Sequence, residues 1–209
     1  MPALAVARAF AAEEQRDELL LVGKEGGPEE RLVPEAGFRL ETVRIRGLDR
    51  DSPAKNLALP LVLPAALRRG GEIVAEFAPD VVLGVGGYAM APALWAARRR
   101  GIPYVLAVFE SGGLANRMFR SGAAAACVSF ADDVERFPTA RTVLTGYPLR
   151  PGFAPGNPQV PARRLLVIGG SQGARRINET IWSAVDALLD RFEVVVHLTG
   201  EQGLSLIHI

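Results

Sequence analysis

Residues 163–180 read RRLLVIGGSQGARRINET, and this stretch decides the fold. Arg164–Ile168 is a short apolar run fit for a buried strand, and Ala174 onward has helical composition. Between them lie Gly169, Gly170, Ser171, Gln172 and Gly173. Glycines let the backbone turn tightly and approach a ligand closely, and the free N–H groups at a helix start favour an anion. Ser171 adds a hydroxyl where a phosphate would sit. The spacing is not GxGxxG and the Walker lysine is absent, so neither dinucleotide binding nor P-loop chemistry is supported. A tight turn that serves packing alone is the competing reading.

The same grammar recurs upstream. Residues 79–103, PDVVLGVGGYAMAPALWAARRRGIP, again give strand, glycine turn and helix, with Gly84, Gly86 and Gly87 ahead of Tyr88 and Pro92 near the first helical turn. Open α/β folds place ligands at such carboxyl-edge loops. Strands are expected at 18–22, 39–44, 81–84, 104–108, 126–128, 142–145, 164–168 and 193–198, and helices at 3–12, 63–77, 91–100, 114–120 and 174–189. That alternation is the signature of βα units around parallel sheet. Residues 148–162, PLRPGFAPGNPQVPA, carry five prolines and two glycines and can continue neither helix nor strand. A domain boundary is therefore expected there.

Composition narrows the function classes. Hydrophobic residues make up 49% of the chain and charged residues 22%, which suits a globule with a sizeable core and not a disordered segment. A formal charge of +1 gives no global reason to expect nucleic acid. The lone cysteine, Cys127, allows no internal disulfide, and with only His197 and His208 beside it a His/Cys zinc site is close to excluded. The longest uncharged run, Val81–Ala97, is short and broken by glycine and proline, so no membrane span is expected. Asp132 and Asp133 read as a solvated helix start, and His197, within FEVVVHL, as a satisfied sheet histidine.

GGSQGARRIN, with DVVLGVGGY, GIP, GLANR, TGYPLR and an opening PALAVARAF, resembles the MurG family of glycosyltransferases, UDP-N-acetylglucosamine:lipid I transferases that make lipid II for peptidoglycan. The resemblance runs from Pro2 to about Gly203 and implies the GT-B fold, two Rossmann-like parallel-sheet domains with the active site in the cleft between them. It implies an acceptor-binding domain at residues 1–150, a linker at 151–162 and the start of a UDP-sugar-binding domain at 163–203. Gly170, Ser171 and Gln172 match the donor phosphate loop, and Arg150 the arginine at the interdomain crossing, although Tyr147 stands where the family has Asn. Gly86, Gly87 and Tyr88 match the loop that embraces the acceptor's diphosphate. Where the family reads HEQN this chain has AVFESGG, which leaves Glu110, Ser111 or Asn116 to take over the asparagine's donor contact.

The resemblance further implies inverting displacement without cofactor or metal, at the cytoplasmic face of the membrane, with other cell-wall synthesis proteins as possible partners. Leu57, Leu61 and Leu63, followed by Arg68 and Arg69, suit either a peripheral inner-leaflet contact or a buried helix entry. The family's GTGGH loop and its histidine are expected before Pro2 and most of the second domain after Gly203, with 204–209 as a non-native tail. On that reading the chain is a fragment, holds no catalytic residue and is inactive, and the strand at 193–198 exposes an apolar edge. A different GT-B enzyme on a UDP-sugar, such as an epimerase or glycolipid synthase, and a non-catalytic nucleotide-binding module are the alternatives.

Overall fold

The computed structural model describes residues 2–13, 18–47, 59–109, 113–137, 141–149, 152, 163–170 and 173–200. Two compact units form, Met1–Phe153 and Ala154–Ile209.

The first unit contains α1 (Pro2–Ala12), β1 (Leu20–Lys24), α2 (Glu29–Glu35), β2 (Arg39–Val43), α3 (Leu59–Phe77), β3 (Val82–Gly84) and α4 (Met90–Arg100). It continues through β4 (Tyr104–Val108), α5 (Leu114–Phe119), β5 (Ala125–Val128) and β6 (Thr142–Leu144). All the strand pairings are parallel: β1 with β2, and separately β3-β4-β5-β6 in sequence order. The continuous apolar run YVLAV becomes β4, four of whose five residues are buried, as a strand covered on both faces must be. Leu94, Leu106, Val108, Phe119, Ala126, Val128 and Phe137 close the main core around it. A second cluster seats Val43 and Ile45 against Ala66 and Ile73 of α3. Helices α3 and α4 cross closely at Gly70, where a methyl group would stand 2.5 Å from Pro92 Cβ.

The second unit contains β7 (Arg164–Ile168), α6 (Arg175–Ser183), α7 (Val185–Arg191) and β8 (Val194–Leu198), with β7 and β8 parallel and in register from Arg164 opposite Val194. Both strands alternate between half-buried and exposed residues. Leu166, Ile168, Val194, Val196 and Leu198 share the exposed face, so the apolar exposure expected at the rim of β8 extends over a whole face of the ribbon.

The α/β parallel-sheet class is borne out, with local corrections. Helix α2 was not expected: EERLVPE is one short stretch with Pro34 inside it, too brief for a helical period to show. The helix expected over 174–189 is two helices, parted at Ala184, whose φ and ψ of −110° and 6° leave the helical region. Helix α3 starts at Leu59, before the expected Leu63, and α5 ends at Phe119 in a 3-10 turn over Arg120–Gly122.

Two polar readings are overturned. Asp133 is 1% exposed and not solvated, in a 3-10 turn over Ala131–Asp133, with Arg136 3.5 Å from its Oδ1. His197 lies edge-on to Trp182, ring centroids 6.5 Å apart, and its buried Nε2 has no hydrogen-bond partner, so it is not a satisfied histidine.

Candidate functional site

In a parallel sheet the loops that leave the carboxyl ends of the strands can hold a ligand, and two glycine-bearing ones in the first unit contrast sharply. After β3 the chain passes through Val85, Gly86, Gly87, Tyr88 and Ala89 into α4. Gly86 and Gly87 have φ of +83° and +76°, a region that favours glycine, and no atom lies within 4 Å of where either Cβ would stand. No side chain caps the start of α4, and the Gly86 N–H donates only to the thioether of Met90, 3.2 Å away. A sulfur acceptor is weak, so the loop offers its donors to open space. Tyr88 is 39% exposed, and its ring lies flush on Gly47 in the segment after β2, where a side-chain carbon would come within 2.5 Å of the ring.

The loop after β1, Glu25-Gly26-Gly27-Pro28, has a similar glycine content and the opposite state. The Gly26 N–H donates to Glu30 Oε1 at 2.9 Å, and the Glu29 carboxylate lies against Gly27. Two carboxylates therefore fill the space an anionic ligand would need, and like charge repels it.

Past β4, Phe109 stacks with Tyr147, ring centroids 4.8 Å apart. The TGYPL segment is tied down beside them: the Thr145 N–H donates to Val128 O, and Ser129 Oγ donates to Gly146 O at 3.3 Å. Tyr147 thus has a packing role that an asparagine could not fill. Asn116, on α5, is 5% exposed and its Oδ1 has no partner. It sits in the protein interior and not on an open ligand surface.

In the second unit Gly169 continues the ladder by donating to Leu198 O at 3.4 Å, and the Gly173 N–H donates to Gly170 O at 3.0 Å. Gly170 and Gly173 take φ of +80° and +76°, and no side chain caps α6. Arg175, in the first turn of α6, hydrogen-bonds Glu179 Oε1 at 2.7 Å; that bond, then the Coulomb attraction of the same carboxylate, raises its pKa.

The candidate residues divide as follows. Gly86, Gly87 and Tyr88 are together on one loop, and Gly170 is in its expected turn. Arg150, Ser171, Gln172, Glu110 and Leu57 lie outside the described residues, as do residues 204–209 and the side chain of Leu61. Leu63 is exposed on α3, while Arg68 pairs with Glu72 at 2.9 Å and Arg69 with Glu41 at 2.5 Å. The sequence does not single out Gly47 or Phe109, whose partners Tyr88 and Tyr147 lie far along the chain, nor the Glu29–Glu30 pair, whose local contacts with Gly27 and Gly26 follow no motif. Among the described residues no group of His, Cys, Asp or Glu is arranged to hold a metal, and no helix is long and apolar enough to cross a membrane.

Residues 1–125 match the glycosyltransferase family 28 N-terminal domain. The chain is 39% identical over 212 residues to the UDP-N-acetylglucosamine--N-acetylmuramyl-(pentapeptide) pyrophosphoryl-undecaprenol N-acetylglucosamine transferase of Syntrophotalea carbinolica, covering 99% of this chain and 59% of that protein. The transferase of the same name from Geobacter metallireducens is 40% identical over 217 residues, covering 98% and 59% respectively. Among solved structures, Acinetobacter baumannii MurG superposes with a TM-score of 0.67 at 26% identity, over 98% of this chain and 56% of that one. The chain therefore spans somewhat under two thirds of the length of the relatives it matches.

Proposed function

The chain belongs to glycosyltransferase family 28, and on that premise we propose that it serves the transfer of N-acetylglucosamine from UDP-GlcNAc to undecaprenyl-pyrophosphoryl-MurNAc-pentapeptide, lipid I, giving lipid II. The names of its relatives support the substrates. The observation that carries the acceptor assignment is the contrast between the two loops of the first unit: Gly86–Tyr88 leaves its donors open, whereas the Gly26 N–H is already bonded to Glu30 and the Glu29 carboxylate crowds Gly27. A diphosphate is drawn to the first and turned away by the second.

In this reading Gly86, Gly87 and Tyr88 hold the acceptor diphosphate. Gly170, Ser171, Gln172 and Arg150 hold the donor pyrophosphate, whose charge suits backbone N–H groups at a helix start and an arginine fork. The acceptor hydroxyl attacks the anomeric carbon as the bond to the UDP oxygen breaks, with inversion, and the departing charge is stabilised where it develops. The first histidine of the chain is His197, so no imidazole precedes it to take the hydroxyl proton. The chain alone is expected to transfer no sugar, and measurable transfer to a lipid I analogue would overturn that expectation.

The acceptor assignment is tested by binding of a short-chain lipid I analogue to the purified chain. Gly87→Val puts a β-branched residue at φ +76°, strained by about 1–2 kcal/mol, and is expected to weaken binding about tenfold. Equal binding by the two proteins removes the assignment; a preference for a different lipid acceptor favours a glycolipid synthase, and binding of a UDP-sugar with no acceptor bound favours an epimerase. Peripheral attachment at the inner leaflet is part of the same proposal. It is carried by the exposed Leu63 end of α3, since Arg68 and Arg69 are already engaged with carboxylates. Liposome flotation that is unchanged by Leu61→Asp and Leu63→Asp rules it out.

A further inference from the structure

We infer that Asn178 is a positioning residue for the donor's diphosphate, tying the start of α6, and with it Gly173, to the end of β8; the inference rests on the second unit being the donor side. Asn178 lies in the first turns of α6, where its backbone N–H donates to Ala174 O at 2.9 Å. Its side chain reaches across to the far strand: Nδ2 donates to Thr199 O at 3.0 Å, with both residues at most 5% exposed. A carbonyl can only accept, which fixes the amide nitrogen as the atom facing it. The same carbonyl lies so close to Gly173 that a Cβ there would overlap it.

The end of β8 is thus gripped from both sides of the turn. Gly169 donates to Leu198 O, Asn178 donates to Thr199 O, and Gly173 packs on Thr199 without a side chain. The turn is clamped to the strand end by an amide and not by apolar packing, since Asn178 and Thr199 are the buried residues of this unit among those described. Without the amide, the Thr199 carbonyl loses that donor and α6 is free to shift against β8. Gly169–Gly170 on the strand side and Gly173 on the helix side, the described flanks of the loop proposed to meet the diphosphate, then lose their fixed spacing.

Asn178→Asp tests this with almost no change of shape. The carboxylate turns an oxygen toward the Thr199 carbonyl and repels it, whereas the protonated acid can donate in place of the amide. Binding of UDP-GlcNAc to the full chain, measured by calorimetry, is expected to be about tenfold weaker in Asn178→Asp at about pH 8 and to recover toward about pH 5, where the buried acid is protonated. Wild type supplies the reference profile, which carries any pH dependence that His197 on β8 imposes, because the diphosphate diester itself does not titrate over this range. Asn178→Ala, which removes the donor without adding repulsion, falls between the two at the higher pH and does not recover on acidification. Parallel pH profiles for wild type and Asn178→Asp overturn the inference.

Hydrogen exchange at the Gly169 and Gly173 amides separates the clamp from the ligand. Faster exchange in Asn178→Asp at high pH, together with no UDP-GlcNAc binding by wild type, leaves the clamp standing and removes the donor reading. Unchanged exchange removes the clamp.

Discussion

In the unit Met1–Phe153 the side chains withdrawn from water are overwhelmingly hydrocarbon, Leu94, Leu106, Val108 and Phe137 among them, whereas in Ala154–Ile209 the described buried residues are Asn178 and Thr199. Both units use the same strand–glycine turn–helix repeat. The first covers both faces of its central strand β4 and so gains the non-directional stabilisation of apolar burial. The second covers one face, leaves Leu166, Val196 and their neighbours exposed, and relies on a directional hydrogen bond at one edge. A shared local pattern therefore does not imply a shared source of stability; what decides is whether another layer lies on the far side of the strand.

The contrast is sharpest for a truncation in the main core. Leu106→Ala empties space around a fully buried strand residue and should cost the first unit about 2–5 kcal/mol. Trp95 reports the first unit and Trp182 the second, so urea unfolding of Trp182→Phe and Trp95→Phe backgrounds reads each separately. A comparable loss registered by Trp182 would break the comparison.

Tyr104→Phe has a smaller effect with a pH signature. The Tyr104 hydroxyl donates to Phe119 O at 2.8 Å, and its removal should cost about 1–2 kcal/mol at neutral pH. Burial raises the phenol above its ordinary value, and the charge of Arg98 offsets part of that rise. The unfolded chain therefore gives up this proton first. The contribution is complete below about pH 10 and is lost as pH climbs through that value toward the folded one. Tyr104→Phe should accordingly flatten the alkaline fall in stability of the first unit; an equally steep fall would show that another group causes it.

The smallest effect belongs to the open face of the second unit. Val196→Lys is expected to change unfolding stability by no more than about 0.5 kcal/mol while reducing self-association in sedimentation. A loss of several times that size would mean the face is covered in solution.

The strands β4 and β7 were legible to the residue, because a continuous apolar run bounded by Gly or Pro has one inexpensive reading in a parallel sheet. Helix α2 and the break at Ala184 were not legible, the first because seven residues carry too few apolar positions and the second because alanine ordinarily continues a helix. At the site, Gly86 and Gly87 were legible because their backbone requirement is written in the residue type. The contacts of Tyr88 with Gly47 and of Phe109 with Tyr147 join residues 41 and 38 positions apart, and no local pattern encodes such a distance. Asp133 misled for a related reason: its pair with Asp132 suggests water, yet in the 3-10 turn over Ala131–Asp133 only Asp132 of the two faces it.

The crossing of α3 and α4 at Gly70 has a mechanical consequence. With no side chain to act as a cushion, the backbone of one helix bears directly on Pro92 of the other, and tightly packed interiors transmit strain instead of absorbing it. The joint is local, because Pro64 interrupts the hydrogen bonding of α3 between Leu63 and Gly70. A displacement of α3 at Gly70 would be met at once by Pro92 at the head of α4, a few residues from Gly86 and Gly87.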